Sequence, residues 1–195
     1  GESSTSEGYV YEAINGATNE QLPVILVFQD NGYGISVPKD DQTANFYAAT
    51  NFEGFKNLEI IYCNGMDVIN SMNAMALAKQ HVLEHGGPVI VHANCIRIHS
   101  HSNSDRHELY RDDREREEAR NLDPLIKFRR RLVYSGMFTD SDLDEMDGKA
   151  KKEISAAHKK VIQMPDPDPD TIFDFVMPEP YSASSYPEGL HEGNG

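Results

Sequence analysis

Two short loops carry the residues that could do chemistry. Gly1-Glu-Ser-Ser-Thr-Ser-Glu-Gly8 precedes a helix-forming stretch and Asp30-Asn-Gly-Tyr-Gly34 follows an apolar one, so one helix and one strand join them. In a parallel sheet such a unit sets both loops at the same edge, outside the carboxyl ends of the strands, where ligands bind. The Glu2 carboxylate, the Asn31 side-chain oxygen and a nearby main-chain carbonyl then make an all-oxygen set suited to Mg2+ or Ca2+. Magnesium keeps positions for water or substrate phosphate, so a set with a single carboxylate implies a phosphorylated ligand completing the shell. The amides that open the first helix would help to hold that anion. Singly, Glu2 and Asn31 read as cap and turn residues; it is their combination that suggests a metal site.

An α/β frame is needed to position these loops, and the chain supplies its pattern. Ser6-Glu7 reads as a capping pair that starts a helix near Ser6, with Val10, Ala13, Ile14 and Ala17 as its apolar stripe. The run 23–28 is uniformly apolar and predicts a strand covered on both faces. A second strand over 58–63 leads to Asp67, expected to cap a helix to about His85 with Val68, Met72, Met75, Ala76 and Leu83 facing inward. Gly86-Gly87 stop that helix and a third strand over 88–96 follows at once. Strands alternating with helices predict a parallel sheet with helices on both faces. Beyond Arg97 come a polar loop to Asp105, a run of mixed charge over 106–120 read as a solvated, self-paired surface, and helices over 123–133 and about 139–164. The organisation expected is an α/β domain over 1–135, a helical extension over 136–164 and an acidic, proline-rich arm over 165–195.

The 195 residues are 38% hydrophobic and 26% charged, enough for one substantial core, and 18 Lys+Arg against 32 Asp+Glu give a net charge of −14. That balance argues against nucleic-acid or anionic-membrane binding by bulk electrostatics, Arg129-Arg-Arg131 notwithstanding. Cys63 and Cys95 lie in strand-like runs rather than at metal-ligand spacing, and read as buried thiols of a cytoplasmic protein. No run approaches a bilayer-spanning length. Gly1 opens the chain inside what looks like a functional loop, so a piece of a longer protein is expected.

The two loops resemble the thiamine diphosphate motif, in which Gly-Asp-Gly is followed by Asn-Asn. The wider match, Gly1 to Gly8, Glu12-Ala-Ile-Asn15, the run 22–37 and Asn64-Gly-Met-Asp67, resembles the alpha chain of 2-oxo acid dehydrogenases. Arg97-Ile-His-Ser-His-Ser-Asn-Ser-Asp105 and Tyr110-Arg111 resemble that family's active-site loop. By this resemblance Glu2, Asn31 and the Tyr33 carbonyl would ligate Mg2+, and Ser3, Ser4, Gln29 and Asn31 would line the thiamine diphosphate site with Glu2. His101 would approach the diphosphate and the reaction centre as the catalytic residue, and Ser102 matches a serine phosphorylated in some eukaryotic relatives.

Ser3 stands where the motif has Gly, Asp30 replaces the first Asn, and Gln29 sits where branched-chain relatives can carry a phosphate-contacting Arg. Glu2 in place of Asp points to a branched-chain-like substrate. The resemblance further implies a beta chain or fused pyrimidine-binding domain, a lipoyl acyltransferase that receives the acyl group, an oligomeric assembly, and no activity from this stretch alone. A non-catalytic assembly module that keeps the fold is the competing reading.

Overall fold

A computed structural model describes residues 1–174; residues 175–195 of the expected acidic arm lie outside the described residues. Residues 1–143 form one compact unit, and a second begins at Asp144. In the first, strands β1 (Ile25–Asp30), β4 (Glu59–Asn64) and β5 (Val89–Asn94) make a parallel sheet in the order β1-β5-β4. Asp30, Asn94 and Asn64 stand level in register, so the strands end together at one edge. A small antiparallel ribbon of β2 (Tyr33–Gly34) and β3 (Val37–Pro38) follows β1 at that edge.

β5 is the central strand and its residues 89–93 are all buried, which is why its sequence is apolar without alternation. On one face, Ile14 of α1 (Gly8–Asn19) packs with Phe28, Ile90 and the 3-10 turn Ala48–Phe52. On the other, Ala74 and Ala78 of α2 (Val68–His85) pack on Cys63, Val89, Val91 and Ala93. The sheet thus carries a helix on each face, as the alternation of elements predicts.

Three local expectations are corrected. β1 is not covered along its length on both faces: Phe28 and Asp30 are buried but Val27 is 47% exposed, because β1 lies at the side of the sheet away from β4 and the α2 layer, which packs mainly on β4 and β5, reaches it only at Ile25. α2 turns a different face inward. Ala74 and Ala78 are buried while Met72, Met75, Ala76 and Leu83 are exposed, a rotation of about 100°, or one residue, from the predicted stripe. Small alanines let the helix lie close on β5, a gain that the larger side chains cannot offer. Finally, Ser3–Ser6 form a 3-10 turn and α1 begins at Gly8 with Glu7 at its cap and no side-chain capping bond, so Ser6 is not the cap; Ala13 of the expected stripe is exposed.

The other helix signals hold. Asp67 accepts the Asn70 N–H at 2.9 Å, and Gly86 and Gly87, both with positive φ, end α2. A helix that was not expected in the charged run, α3 (Asp113–Asn121), precedes the expected α4 (Pro124–Tyr134), the latter with Asp123 accepting the Leu125 N–H at 2.8 Å. Thr139 and Asp142 cap α5 (Asp140–Ile162) reciprocally, through Thr139 N–H to Asp142 Oδ2 at 2.8 Å and Asp142 N–H to Thr139 Oγ1 at 3.2 Å. Among the described residues no helix is long and apolar enough to cross a membrane.

Candidate cofactor and metal site

The turn Ser3–Ser6 and the ribbon after β1 bring the two loops into contact at the sheet edge. Glu2, only 1% exposed, accepts the Asn31 N–H on Oε2 at 3.0 Å. Its other oxygen, Oε1, is buried with no hydrogen-bond partner among the described residues. Burying a carboxylate oxygen without a donor is costly, so this atom is where a cation or its water would be stabilised most. Asn31 Oδ1 accepts the Tyr33 N–H at 3.1 Å, a side-chain turn that folds the loop around Gly32 at φ 82°. Pro38, opposite Tyr33 across the ribbon, has no N–H to offer the Tyr33 carbonyl. Glu2, Asn31 and Tyr33 are therefore brought together.

Ser3 is compatible with this geometry. It lies in the 3-10 turn, where its φ is not positive, so a residue with a Cβ fits where the motif has Gly. The small residue needed here is Gly34: a Cβ there would run into the Ser3 hydroxyl and come within 2.9 Å of Gln42 Oε1. Ser4 is exposed in the same turn, and its carbonyl accepts the Glu7 N–H at 3.2 Å. Gln29 lies with Val27 on the exposed face of β1, while Phe28 and Asp30 point to the buried one.

Asp30 has a different role from Glu2. Its Oδ1 accepts the Gly32 N–H at 3.2 Å, and Oδ2 lies 3.1 Å from Lys39 Nζ and 3.3 Å from Nε2 of the fully buried His92. Burial pushes its carboxyl upward, but His92 and Lys39 more than offset this and hold it below the usual carboxylate range. Lys39 also lies over the Phe46 ring at 4.5 Å. The extra negative charge at this position is thus compensated within the fold.

His101 lies in an exposed loop beside a recess of 530 Å³ lined by His99, His101, Ser102, Asp105, His107 and Arg120 among others. The loop is held at its base. Asp105 Oδ2 accepts the His101 N–H at 2.8 Å and the Tyr110 hydroxyl at 2.7 Å, and Arg97 Nη2 donates to the Tyr110 oxygen at 2.6 Å. The Tyr110 bond, then the His101 bond, draw the Asp105 carboxyl below its ordinary range. Arg111 donates to the Arg97 carbonyl at 2.7 Å and to Glu115 Oε1 at 2.8 Å, and Glu115 Oε2 accepts the Tyr33 hydroxyl at 3.1 Å. Hydrogen bonds linked through Arg97 therefore tie the His101 loop, by the main-chain N–H of His101, to Tyr33, the residue whose carbonyl was expected to be a metal ligand.

This overturns part of the reading of 106–120 as a solvated surface. Arg114–Glu118 at 2.9 Å is such a pair, but Arg111 is 3% exposed and structural. Lys39, Gln42 and Glu115 were missed as well. Glu115 had a signal, standing four residues after Arg111 where one helical turn brings the two together; Lys39 and Gln42 had none in local spacing.

The fold and site define a class: an α/β chain with an oxygen-donor site built on one buried carboxylate at the carboxyl ends of parallel strands. A family model for the dehydrogenase E1 component matches residues 1–170, and the chain belongs to that family. It is 31% identical over 164 residues to the pyruvate dehydrogenase E1 component subunit alpha type II, mitochondrial, of Ascaris suum, covering 82% of this chain and 40% of that protein. It is 30% identical over 190 residues to the mitochondrial alpha subunit of Solanum tuberosum, covering 95% of this chain and 47% of that protein, and matches the alpha-1 subunit of Arabidopsis thaliana to the same extent. The chain thus spans less than half the length of these curated relatives. Their names correct the expected cytoplasmic location: all three are mitochondrial proteins, and two buried or half-buried free thiols do not distinguish one reducing compartment from another.

Proposed function

We propose that this chain supplies the diphosphate- and cation-binding part of an E1 alpha subunit that uses thiamine diphosphate to decarboxylate a 2-oxo acid. The observation that carries the reading is Glu2: buried, tied to the Asn31 amide by one oxygen and left without a donor on the other, in a chain of the E1 family. Glu2, Asn31 and the Tyr33 carbonyl would hold Mg2+, and one carboxylate leaves positions for diphosphate oxygens. When bound, the cofactor would supply the electron sink that decarboxylation needs. The protein's part is positioning. The turn at Ser3 and Ser4 lies beside the cation ligands, Gln29 stands at the outer side of β1 without the guanidinium of branched-chain relatives, and His101 is presented on a loop anchored through Asp105.

A beta chain or fused domain would grip the pyrimidine half of the cofactor, and a lipoyl acyltransferase would accept the acyl group. Between oxo acids, the relatives' names favour pyruvate over the branched-chain acid suggested by Glu2. The test is calorimetry of thiamine diphosphate binding to the full-length protein, with Mg2+ and with chelator. Magnesium-dependent binding that is lost in Glu2→Ala is expected; no binding under either condition favours a non-catalytic assembly module.

A further inference from the structure

A residue outside both loops reaches into the site. Gln42 follows the 3-10 turn Lys39–Asp41, whose first residue carries the cation paired with Asp30. Its Nε2 donates to the Ser3 carbonyl at 2.8 Å, which fixes the orientation of the amide. The other end, Oε1, then faces Gly34 beside the Ser3 hydroxyl, 2.9 Å from where a Cβ on Gly34 would stand. Oε1 of Gln42 and Oγ of Ser3 are both buried, and neither has a hydrogen-bond partner among the described residues. With Glu2 Oε1, on the residue before Ser3, this makes three buried oxygens, on residues 2, 3 and 42, without a partner among the described residues.

Buried acceptors without donors are uncommon, and such a group points to a ligand or water that the fold expects. The chemistry of the occupant follows from the atoms. Two of the three can only accept, and the third can do either. A phosphate oxygen has nothing to donate to Gln42 Oε1, so an anion does not satisfy it. A hydrated divalent cation does: its positive charge suits Glu2 and its polarised waters donate to amide and hydroxyl oxygens.

We propose that Gln42 is a further binding residue of this site, whose amide oxygen, with Ser3 Oγ, accepts hydrogen bonds from water carried by the divalent cation held at Glu2. The inference rests on the cation reading of Glu2 and extends it to a segment that neither sequence motif contains.

The amide has two ends with separable roles, and the test uses this. In the full-length protein, Mg2+-dependent thiamine diphosphate affinity is measured by calorimetry and Mn2+ affinity by electron paramagnetic resonance of the free ion. Both are measured for the parent, Glu2→Gln, Gln42→Leu and Gln42→Glu, with thermal unfolding of each apo-protein as the check on folding. Gln42→Leu removes both ends and is expected to weaken Mn2+ and Mg2+-dependent binding about three- to tenfold, the loss of one or two hydrogen bonds. Gln42→Glu keeps an acceptor while losing the donor to Ser3, and is expected to bind Mn2+ at least as tightly as the parent. Equal weakening in both variants means that Gln42 acts only by holding Ser3, and overturns the proposal; so does parental affinity in Gln42→Leu. If Glu2→Gln loses cation binding while both Gln42 variants keep it, the Gln42 inference alone fails. A parent that shows no cation-dependent binding overturns both.

Discussion

The two loops at the sheet edge and the charged stretch that follows them both carry acidic and basic side chains, yet burial divides them. At the edge the carboxylates are inside: Glu2 and Asp30 are buried, one with an oxygen left open and the other paired with Lys39 and His92. In the charged stretch the acids lie outward, Asp113 and Glu118 exposed, and the buried member is a cation, Arg111. An ion pair at the surface is screened and worth little, whereas a buried charge that loses its partner is costly. Counts of charge in the sequence therefore do not rank these pairs; position does.

The comparison can be broken most forcefully at Glu2. Glu2→Ala is expected to lower magnesium-dependent cofactor affinity by at least about 100-fold, more than the loss of a residue that merely orients a ligand; calorimetry within threefold of the parent would contradict the ligand assignment. Lys39→Met, next in size, leaves Asp30 buried with His92 alone and should cost about 2 kcal/mol of stability, read by chemical denaturation.

The same variant carries a pH signature. Asp30 has its folded pKa below the ordinary 3.8, so its contribution is complete above that value and is lost as pH falls through the folded pKa. Removing Lys39 raises the folded pKa, so the stability difference between parent and variant should shrink as pH drops from about 6 to about 3. A difference that stays constant with pH would show that Lys39 acts through packing on Phe46 instead.

Smaller still is the effect expected at the base of the histidine loop. Arg111→Met cuts the chain from Arg97 to Glu115, so protease cleavage within 99–110 should quicken several-fold while cleavage elsewhere is unchanged; bound cofactor should slow it in the parent. Arg114→Ala closes the series. Its pair with Glu118 is exposed on both sides, and the melting temperature should not move measurably.

Much of this was legible along the chain. Local rules located the cap at Asp67, the helix starts near Asp123 and Thr139, the stop at Gly86-Gly87 and the three sheet strands, because helix ends and glycine conformations depend on neighbours in sequence, although Ser6 proved not to be a cap. The pairing of Glu2 with Asn31 was legible for a related reason: one helix and one strand must return the chain to the same sheet edge. Periodicity failed on α2 because its amphipathic signal is weak; apolar side chains occur on more than one face, and the choice of Ala74 and Ala78 was made by how closely the helix can approach β5.

By itself, then, the sequence determined the class of fold, the two loops that meet and the family, through patterns that span a few residues at a time. Tertiary structure alone decided that Asp30 is paired with Lys39 and lies against His92, that Arg111 is interior, and that Gln42 reaches Ser3. Those facts depend on contacts between residues from 9 to 62 positions apart, or 14 and 39 in the last two cases. The physical reason is desolvation. Whether a charge or an amide is a solvated surface group or part of a site depends on what covers it, and that is settled only when distant segments pack together.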